Sequence, residues 1–250
     1  MLLVYNISLL IITVIGGSIP LWTSSWSDKR MKNLLAFSGA YLLSITMLHL
    51  IPESVENVGF AAGGYMLLGY FLQQILQKFT HGVEHGHHHS TGHQHHLPIV
   101  SLFFGMALHA FAEGIPLGTT YHEDSTVPSL YLAIALHKLP EAMLLVSLLI
   151  HSHRSKNASL LWLCLFALLT PVSSMLTHYA GIQLISFATA LPYIIAVVTG
   201  SFLQIGTTIF FESGSNAHDM SWRRWIVILA GIGMALLSVI GQGHDHVHAH

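Results

Sequence analysis

The chain has 250 residues, of which 52% are hydrophobic and only 8% are charged, and its mean hydropathy is +0.61. Soluble domains carry about 25% charged residues, so this composition excludes a soluble globular protein and indicates an integral membrane protein. The formal net charge of −2 gives no sign of a nucleic-acid partner. The single cysteine, Cys164, excludes an internal disulfide and disfavours a cysteine-based metal site.

Apolar stretches of about 20 residues are long enough to cross the roughly 30 Å of hydrocarbon in a bilayer. In chain order the sequence predicts eight such spans, at residues 2–22, 34–52, 60–79, 99–120, 128–150, 158–178, 184–211 and 222–241. The first lacks the basic start and the cleavage site of a signal peptide, so we expect a retained helix. The predicted fold class is an all-α integral membrane protein with eight transmembrane helices, which form one domain over residues 1–250.

Basic residues fall in or beside alternate connections between the predicted spans. Eight of the 9 Lys and Arg do so, namely Lys29, Arg30, Lys32, Lys78, Arg154, Lys156, Arg223 and Arg224. Under the positive-inside rule these connections face the cytoplasm. With eight crossings, both termini then lie outside the cytoplasm. The lack of long extramembrane segments is typical of a multi-pass protein of a prokaryotic cell (inner) membrane.

Two histidine-rich segments lie outside the predicted spans. Residues 81–96 carry eight histidines, within a loop at about 80–98 that we expect to be mobile, and the tail at about 243–250 carries four more. Such tracts bind Zn, Cu or Ni weakly. The charge pattern predicts a cytoplasmic loop and an external tail, and a solvated linker with incidental affinity is the alternative for the loop. Candidates for receiving a metal ion on the cytoplasmic side are His85, His87, His88, His89 and Glu212.

The fourth and fifth predicted spans each hold a histidine and a glutamate four residues apart. His109 and Glu113 lie in H-A-F-A-E, and His137 and Glu141 lie in H-K-L-P-E. Because residues at i and i+4 share a helix face, each pair presents an imidazole and a carboxylate together. This ligand set suits a borderline divalent cation such as Zn²⁺. Ionisable groups at bilayer depth are costly unless paired or metal-bound, so these four residues form the predicted metal site.

In combination, these segments resemble the ZIP family of zinc and iron transporters. The sequence H-A-F-A-E-G-I-P-L-G followed by H-K-L-P-E-A is similar to the paired motifs of the family's fourth and fifth helices. H-L-I-P-E-S at residues 49–54 is similar to the end of its second helix, and T-G-S-F-L-Q at residues 199–204 to a motif of its seventh. A histidine-rich loop between the third and fourth helices is also a feature of the family. Order, spacing and topology match over nearly the whole chain.

The resemblance implies uptake of a divalent metal into the cytoplasm. The implied fold has eight helices, with two inverted three-helix repeats around the fourth and fifth, and the family suggests a homodimer in the lipid bilayer. His49 and Glu53 form another i, i+4 pair at the outer end of the second span, and they are candidates for an ion entrance. A polar cap at a helix end is the alternative for this pair.

Three positions depart from the two-metal pattern of the family. That pattern has Asn after the first histidine and an acid or amide after the second, where this chain has Ala110 and Lys138. A sixth-helix ligand would fall near residues 170–171, where there is no carboxylate. We therefore expect a single transported ion at the four predicted ligands, with the Lys138 ammonium in the place of a second cation. The alternative is that Lys138 merely pairs with Glu113 or Glu141 and so makes these residues tolerable in lipid.

Zn²⁺ is the predicted cargo because two histidines disfavour hard metals, and Fe²⁺, Mn²⁺ and Cd²⁺ are further candidates. No organic cofactor is predicted, and without a P-loop the drive would be an ion gradient, the membrane potential or cytoplasmic chelation. The alternative function is an intramembrane zinc-dependent hydrolase with Glu113 or Glu141 as general base. The sequence has no H-E-x-x-H motif, and the four ionisable groups are better used as ligands, so we predict a transporter and not an enzyme.

Overall fold

The computed structural model of the chain describes residues 1–23, 27–80, 99–119, 126–212 and 222–243. Within these ranges the regular structure is entirely helical, which confirms the predicted all-α class for this part of the chain. The α-helices are α1 (Leu2–Trp22), α2 (Asp28–Ile45), α3 (Ile51–Val58), α4 (Ala62–Thr80), α5 (Ile99–Leu117), α6 (Thr126–His151), α7 (Lys156–Gln183), α8 (Ile185–Glu212) and α9 (Trp222–Gly243). A π-helical turn at Thr46–Leu50 joins α2 to α3, and a 3-10 turn at Gly59–Ala61 joins α3 to α4.

Six helical stretches in the described ranges are long and apolar enough to cross a membrane. Five of them coincide with the predicted spans in α1, α5, α6, α7 and α8. The other runs over 50 residues, Lys29–Lys78, and contains the two predicted spans 34–52 and 60–79. The structure separates these two spans at Gly59, whose φ of 70° is a backbone conformation that favours glycine. Helix α9 covers the predicted span 222–241 but is not one of the six.

The second predicted span differs most from the structure. Helical structure continues beyond residue 52 to Val58, through the π turn and α3. Pro52 lacks an amide donor, so the α-helical hydrogen bond to the carbonyl of residue 48 cannot form. Just before it, the amide of Ile51 donates to the Thr46 carbonyl, five residues back, which is the π-helical pattern. The apolar periodicity did not predict this turn, which contains His49.

Helix α6 lies at the centre of the fold. More of its apolar window is buried than in the other five candidate spans. One of its faces packs in an apolar cluster with residues of α2 and α8, including Ile134 and Phe202, and another in a cluster with α5 and α7, including Leu145 and Phe166. Helices α1, α5, α6 and α7 pack on one another, and α2, α4, α8 and α9 form a second group. Side chains at the middle of α6 are therefore shielded from lipid.

Helices α4 and α8 approach each other unusually closely. A Cβ atom at Gly69 would overlap the Val197 carbonyl oxygen, and one at Gly200 would overlap the Met66 carbonyl oxygen. Small residues allow such approach between membrane helices. Further along the same pair, the Gln204 side-chain amide donates to the side-chain oxygens of Gln74 and Gln77, at 2.7 and 2.8 Å. Helices α4 and α8 are therefore held by backbone contact and by amide hydrogen bonds.

The close approach makes Gly200 sensitive to an added methyl group. We expect Gly200→Ala to lower the melting temperature of the detergent-solubilised protein, because overpacking against a carbonyl costs about 1–3 kcal/mol. The matched control is Gly233→Ala in α9, where an added Cβ meets nothing within 4 Å. That variant should be neutral or slightly stabilised by its better helix propensity. Equal melting temperatures for the two variants would contradict the α4–α8 packing described here.

Candidate metal site

The two predicted His-Glu pairs meet inside the helical bundle. Helix α5 supplies His109 and Glu113, and α6 supplies His137 and Glu141. One ligand atom from each residue can be chosen so that the four atoms lie within 4.8 Å of one another. None of the four side chains is more than 1% exposed. The structure therefore brings together all four residues that the sequence singled out as metal ligands.

The individual separations are those of a small coordination sphere. Nε2 of His109 lies 3.2 Å from Oε1 of Glu113 and 3.5 Å from Oε1 of Glu141. Nε2 of His137 lies 3.7 Å from the same Oε1 of Glu113. The two imidazole rings are nearly perpendicular, with centroids 5.9 Å apart. The Oε1 atoms and the imidazole nitrogens thus surround one point between α5 and α6.

Lys138 lies on the other side of the two carboxylates. Its Nζ pairs with Oε2 of Glu113 and, at 2.7 Å, with Oε2 of Glu141. Each glutamate therefore uses one oxygen for the ammonium and directs the other toward the histidines. The Lys138 side chain is only 1% exposed, so this ion pair is shielded from water. The alternative interpretation paired Lys138 with Glu113 or Glu141, and the structure pairs it with both.

Several buried polar atoms at the site lack a hydrogen bond to the described part of the chain, among them Oε1 of Glu141 and Nε2 of His137. Buried polar atoms are normally satisfied, and an acceptor left without a donor is costly. Their positions, facing the other ligand atoms, are those that a bound cation would satisfy.

Helix α7 closes the site without adding a carboxylate. The Thr170 hydroxyl donates to the Ala110 carbonyl at 2.8 Å, one residue after His109. A Cβ at Gly114 would overlap the Thr170 carbonyl oxygen, so glycine is needed for α5 to pack this closely on α7. The sequence did not indicate Phe166 of α7, whose ring lies 4.6 Å from the Lys138 ammonium. No sequence motif marks this phenylalanine, and only the packing of α7 on α6 identifies it.

The remaining predicted site residues lie elsewhere. His49 and Glu53 are half-buried on the π turn and α3, and they are not part of the four-residue cluster. The adjoining Ser54 hydroxyl lies 3.2 Å from the Thr199 hydroxyl, so the segments H-L-I-P-E-S and T-G-S-F-L-Q touch each other. Glu212 is the last residue of α8. The loop histidines 85, 87, 88 and 89 and the histidine-rich tail lie outside the described residues.

A set of apolar helices long enough to cross a membrane, enclosing a buried cluster of two imidazoles and two carboxylates, defines a multi-pass membrane protein with a potential site for a divalent metal ion. Comparison with known families agrees with this class. Residues 1–101 and 81–241 match the family described as ZIP Zinc transporter. The chain therefore belongs to the ZIP zinc transporter family. This is a family of transporters and not of enzymes, which confirms the prediction that the chain is not an enzyme and disfavours the hydrolase alternative.

The chain is also similar to individual members of this family. Zinc transporter ZIP9 of Xenopus tropicalis is 31% identical over 163 residues, which are 59% of this chain and 54% of that protein. Zinc transporter ZIP9 of Micropogonias undulatus is 26% identical over 215 residues, which are 78% of this chain and 68% of that protein. Zinc transporter ZIP9 of Macaca fascicularis is 30% identical over 158 residues. The matched region is thus about half the length of the first of these relatives.

Lys138 should stabilise the fold as well as the site. We expect Lys138→Met to lower the melting temperature of the metal-free protein markedly, because it leaves two buried carboxylates without a counter-charge. Removing one partner of a buried ion pair typically costs about 3–5 kcal/mol. Replacing one carboxylate as well, by Glu141→Gln, should recover part of the loss.

The matched control for this variant is Lys156→Met. Lys156 is exposed at the start of α7, with its Nζ 5.3 Å from the Trp22 ring, so its loss should change the melting temperature little. Similar melting temperatures for Lys138→Met and Lys156→Met would show that the buried ion pair contributes no stability.

Proposed function

We propose that this protein moves Zn²⁺ across the membrane into the cytoplasm, with His109, Glu113, His137 and Glu141 as the ligands of the transported ion. The observation that carries the proposal is the convergence of these four buried side chains from two neighbouring helices. Bare Zn²⁺ cannot enter hydrocarbon, so a carrier must replace its hydration shell with protein ligands. Fe²⁺, Mn²⁺ and Cd²⁺ are further cargoes that this nitrogen and oxygen ligand set would accept.

The separations at the site support a tetrahedral ion. Ligand atoms about 2.1 Å from a tetrahedral zinc ion lie roughly 3.4 Å from one another. The three imidazole-to-carboxylate separations of 3.2, 3.5 and 3.7 Å fall around this value. Only small side-chain movements are then needed to close the four ligands on an ion.

We further propose that one ion is bound at a time. In each glutamate, Oε1 faces the imidazoles and Oε2 faces the Lys138 ammonium. The ammonium thus lies where a second cation bridged by the same carboxylates would bind. With neutral histidines, two carboxylates and one ammonium give −1, and a bound divalent ion changes this to +1. At 4–5 Å and an effective dielectric of 20, the ammonium repels that divalent ion by about 7–8 kcal/mol, which favours release over trapping.

The proposed topology has eight crossings, formed by α1, by α2 with α3, and by each of α4 to α9. Helix pairing supports two inverted three-helix repeats around α5 and α6. The contact between α1 and α6 corresponds to the contact between α7 and α5. The contact between α2 and α9 likewise corresponds to the contact between α8 and α4. These are the correspondences expected if α1 to α4 and α7 to α9 are related by a pseudo-two-fold axis through the site. Repeats of this kind are common in transporters that bind their substrate at the midplane.

The direction of transport rests on the family resemblance and on the charge pattern. Because the connections there are basic, we propose that the ends of α4 and α8 and the starts of α7 and α9 face the cytoplasm. His49 and Glu53 then lie on the outer side, where they would help to attract cations to an entrance. By the same charge pattern, His85, His87, His88, His89 and Glu212 would be on the inner side, as proposed acceptors of the released ion. A homodimer in the cell membrane is proposed from the family resemblance alone.

Alternating access is the transport mechanism that we propose. One group of helices, which includes both ligand-bearing helices, would move against the other so that the site opens first to one side and then to the other. The charged groups stay together on α5 and α6 throughout, so no isolated charge has to cross hydrocarbon.

Loss of one ligand should abolish transport. For His137→Ala we expect zinc uptake into dye-loaded liposomes to fall by more than about 100-fold, because loss of even an indirect partner of a metal ligand costs about 10–100-fold. The matched control is His178→Ala, whose ring packs against Tyr179 near the end of α7 and which should transport normally. Undiminished uptake by His137→Ala would rule out the proposed site, and turnover of a lipid or peptide without flux would favour an enzyme.

The number of bound ions tests the role of Lys138. We expect one zinc ion per wild-type chain and per Lys138→Ala chain, and two per Lys138→Glu chain, because the new carboxylate would complete a second site. Elemental analysis gives the ratio, and anomalous scattering from zinc-soaked crystals gives the positions. Two ions in the wild-type protein would exclude the single-ion proposal.

A further inference from the structure

The Lys138 ammonium is enclosed on a third side by an aromatic ring. Besides its two carboxylate partners, its Nζ lies over the Phe166 ring, 4.6 Å from the centroid. Phe166 is fully buried in the apolar cluster that includes Met106 and Ala110 of α5. A cation over a ring face is attracted by the ring quadrupole, and this attraction is strongest where water is excluded. The ammonium is thus held by α5, α6 and α7 together.

The ring differs from the carboxylates in its response to a metal ion. A divalent ion at the Oε1 atoms withdraws negative charge from Glu113 and Glu141 and repels the ammonium that these residues hold. The ring makes no contribution to the proposed ligand set, so a bound ion does not compete for it. When the site is loaded, Phe166 is therefore a partner of the ammonium whose attraction the bound ion does not weaken.

From this geometry we propose that Phe166 is a positioning residue of the metal site, which acts through Lys138 to weaken zinc binding and speed zinc release. The proposal rests on the proposed function of the site. Without the ring the ammonium is free to recede from a bound ion, so the electrostatic repulsion falls and the ion binds more tightly. The effect depends on the ring's charge distribution and on the presence of a cation at position 138.

A double-mutant cycle separates this role from simple packing. The zinc dissociation constant is measured by competition with a fluorescent chelator, for the full-length protein with Phe166 or Phe166→Leu, each combined with Lys138 or Lys138→Met. With Lys138 present, we expect Phe166→Leu to bind zinc about three- to tenfold more tightly and to release it more slowly. In the Lys138→Met background, the same substitution should leave the dissociation constant unchanged. A shift of equal size in both backgrounds would overturn the proposal.

A fluorinated ring provides a variant that preserves shape. Replacing Phe166 with trifluorophenylalanine weakens the quadrupole with little change in volume, so it remains informative if Phe166→Leu does not fold. We expect it to tighten zinc binding in the same direction, and no change would overturn the proposal. The matched control is Phe202→Leu, another fully buried phenylalanine, which lies in the apolar cluster of α2 and α8 and should leave zinc affinity unaltered.

Comparing zinc binding by the wild-type protein and by His137→Ala distinguishes failure of this proposal from failure of the proposed function. Zinc binding that His137→Ala does not weaken would contradict the proposed site itself. Zinc binding that depends on His137, with no dependence of the Phe166→Leu shift on Lys138, would overturn only the role of Phe166.

Discussion

The structure depends on one buried ionic contact, in which the Lys138 ammonium joins Glu113 of α5 to Glu141 of α6. In hydrocarbon none of these three charges is tolerable alone, because desolvation costs several kcal/mol for each. Together they leave a single net negative charge between helices that are otherwise apolar. The contact therefore lets each of these charges be buried where α5 meets α6.

The same contact orients the groups that would bind metal. Because the ammonium holds the Oε2 atoms, the Oε1 atoms point toward the imidazoles of His109 and His137. The proposed coordination sphere is thus largely formed without an ion, which would lower the entropic cost of binding one. A transporter must also release its cargo, and a fixed positive charge beside the site opposes excessive affinity. In the proposed function, one lysine would therefore serve both the stability of the fold and the balance between binding and release.

The rest of the fold keeps this charged centre dry and correctly placed. Gly114 allows α7 to approach α5 closely enough for the Thr170 hydroxyl to bind the Ala110 carbonyl. On the other side, α4 and α8 are joined through Gly69 and Gly200. Association of helices in lipid relies on close packing and on hydrogen bonds, since there is no hydrophobic driving force between them. Small residues and hydroxyls at these contacts are the means by which an apolar bundle encloses a polar site.

The sequence by itself predicted the all-helical class, seven of the eight apolar spans that the described structure supports, and the candidate ligands. Composition and the length of apolar stretches depend only on the cost of placing polar groups in lipid, and the i, i+4 spacing of His109 and Glu113 depends only on helix geometry. Three features were decided by tertiary structure: the meeting of the two His-Glu pairs, the sharing of Lys138 between two glutamates, and the placement of Phe166 on the ammonium. These contacts join α5, α6 and α7, and periodicity within one helix carries no information about which face of another helix it meets.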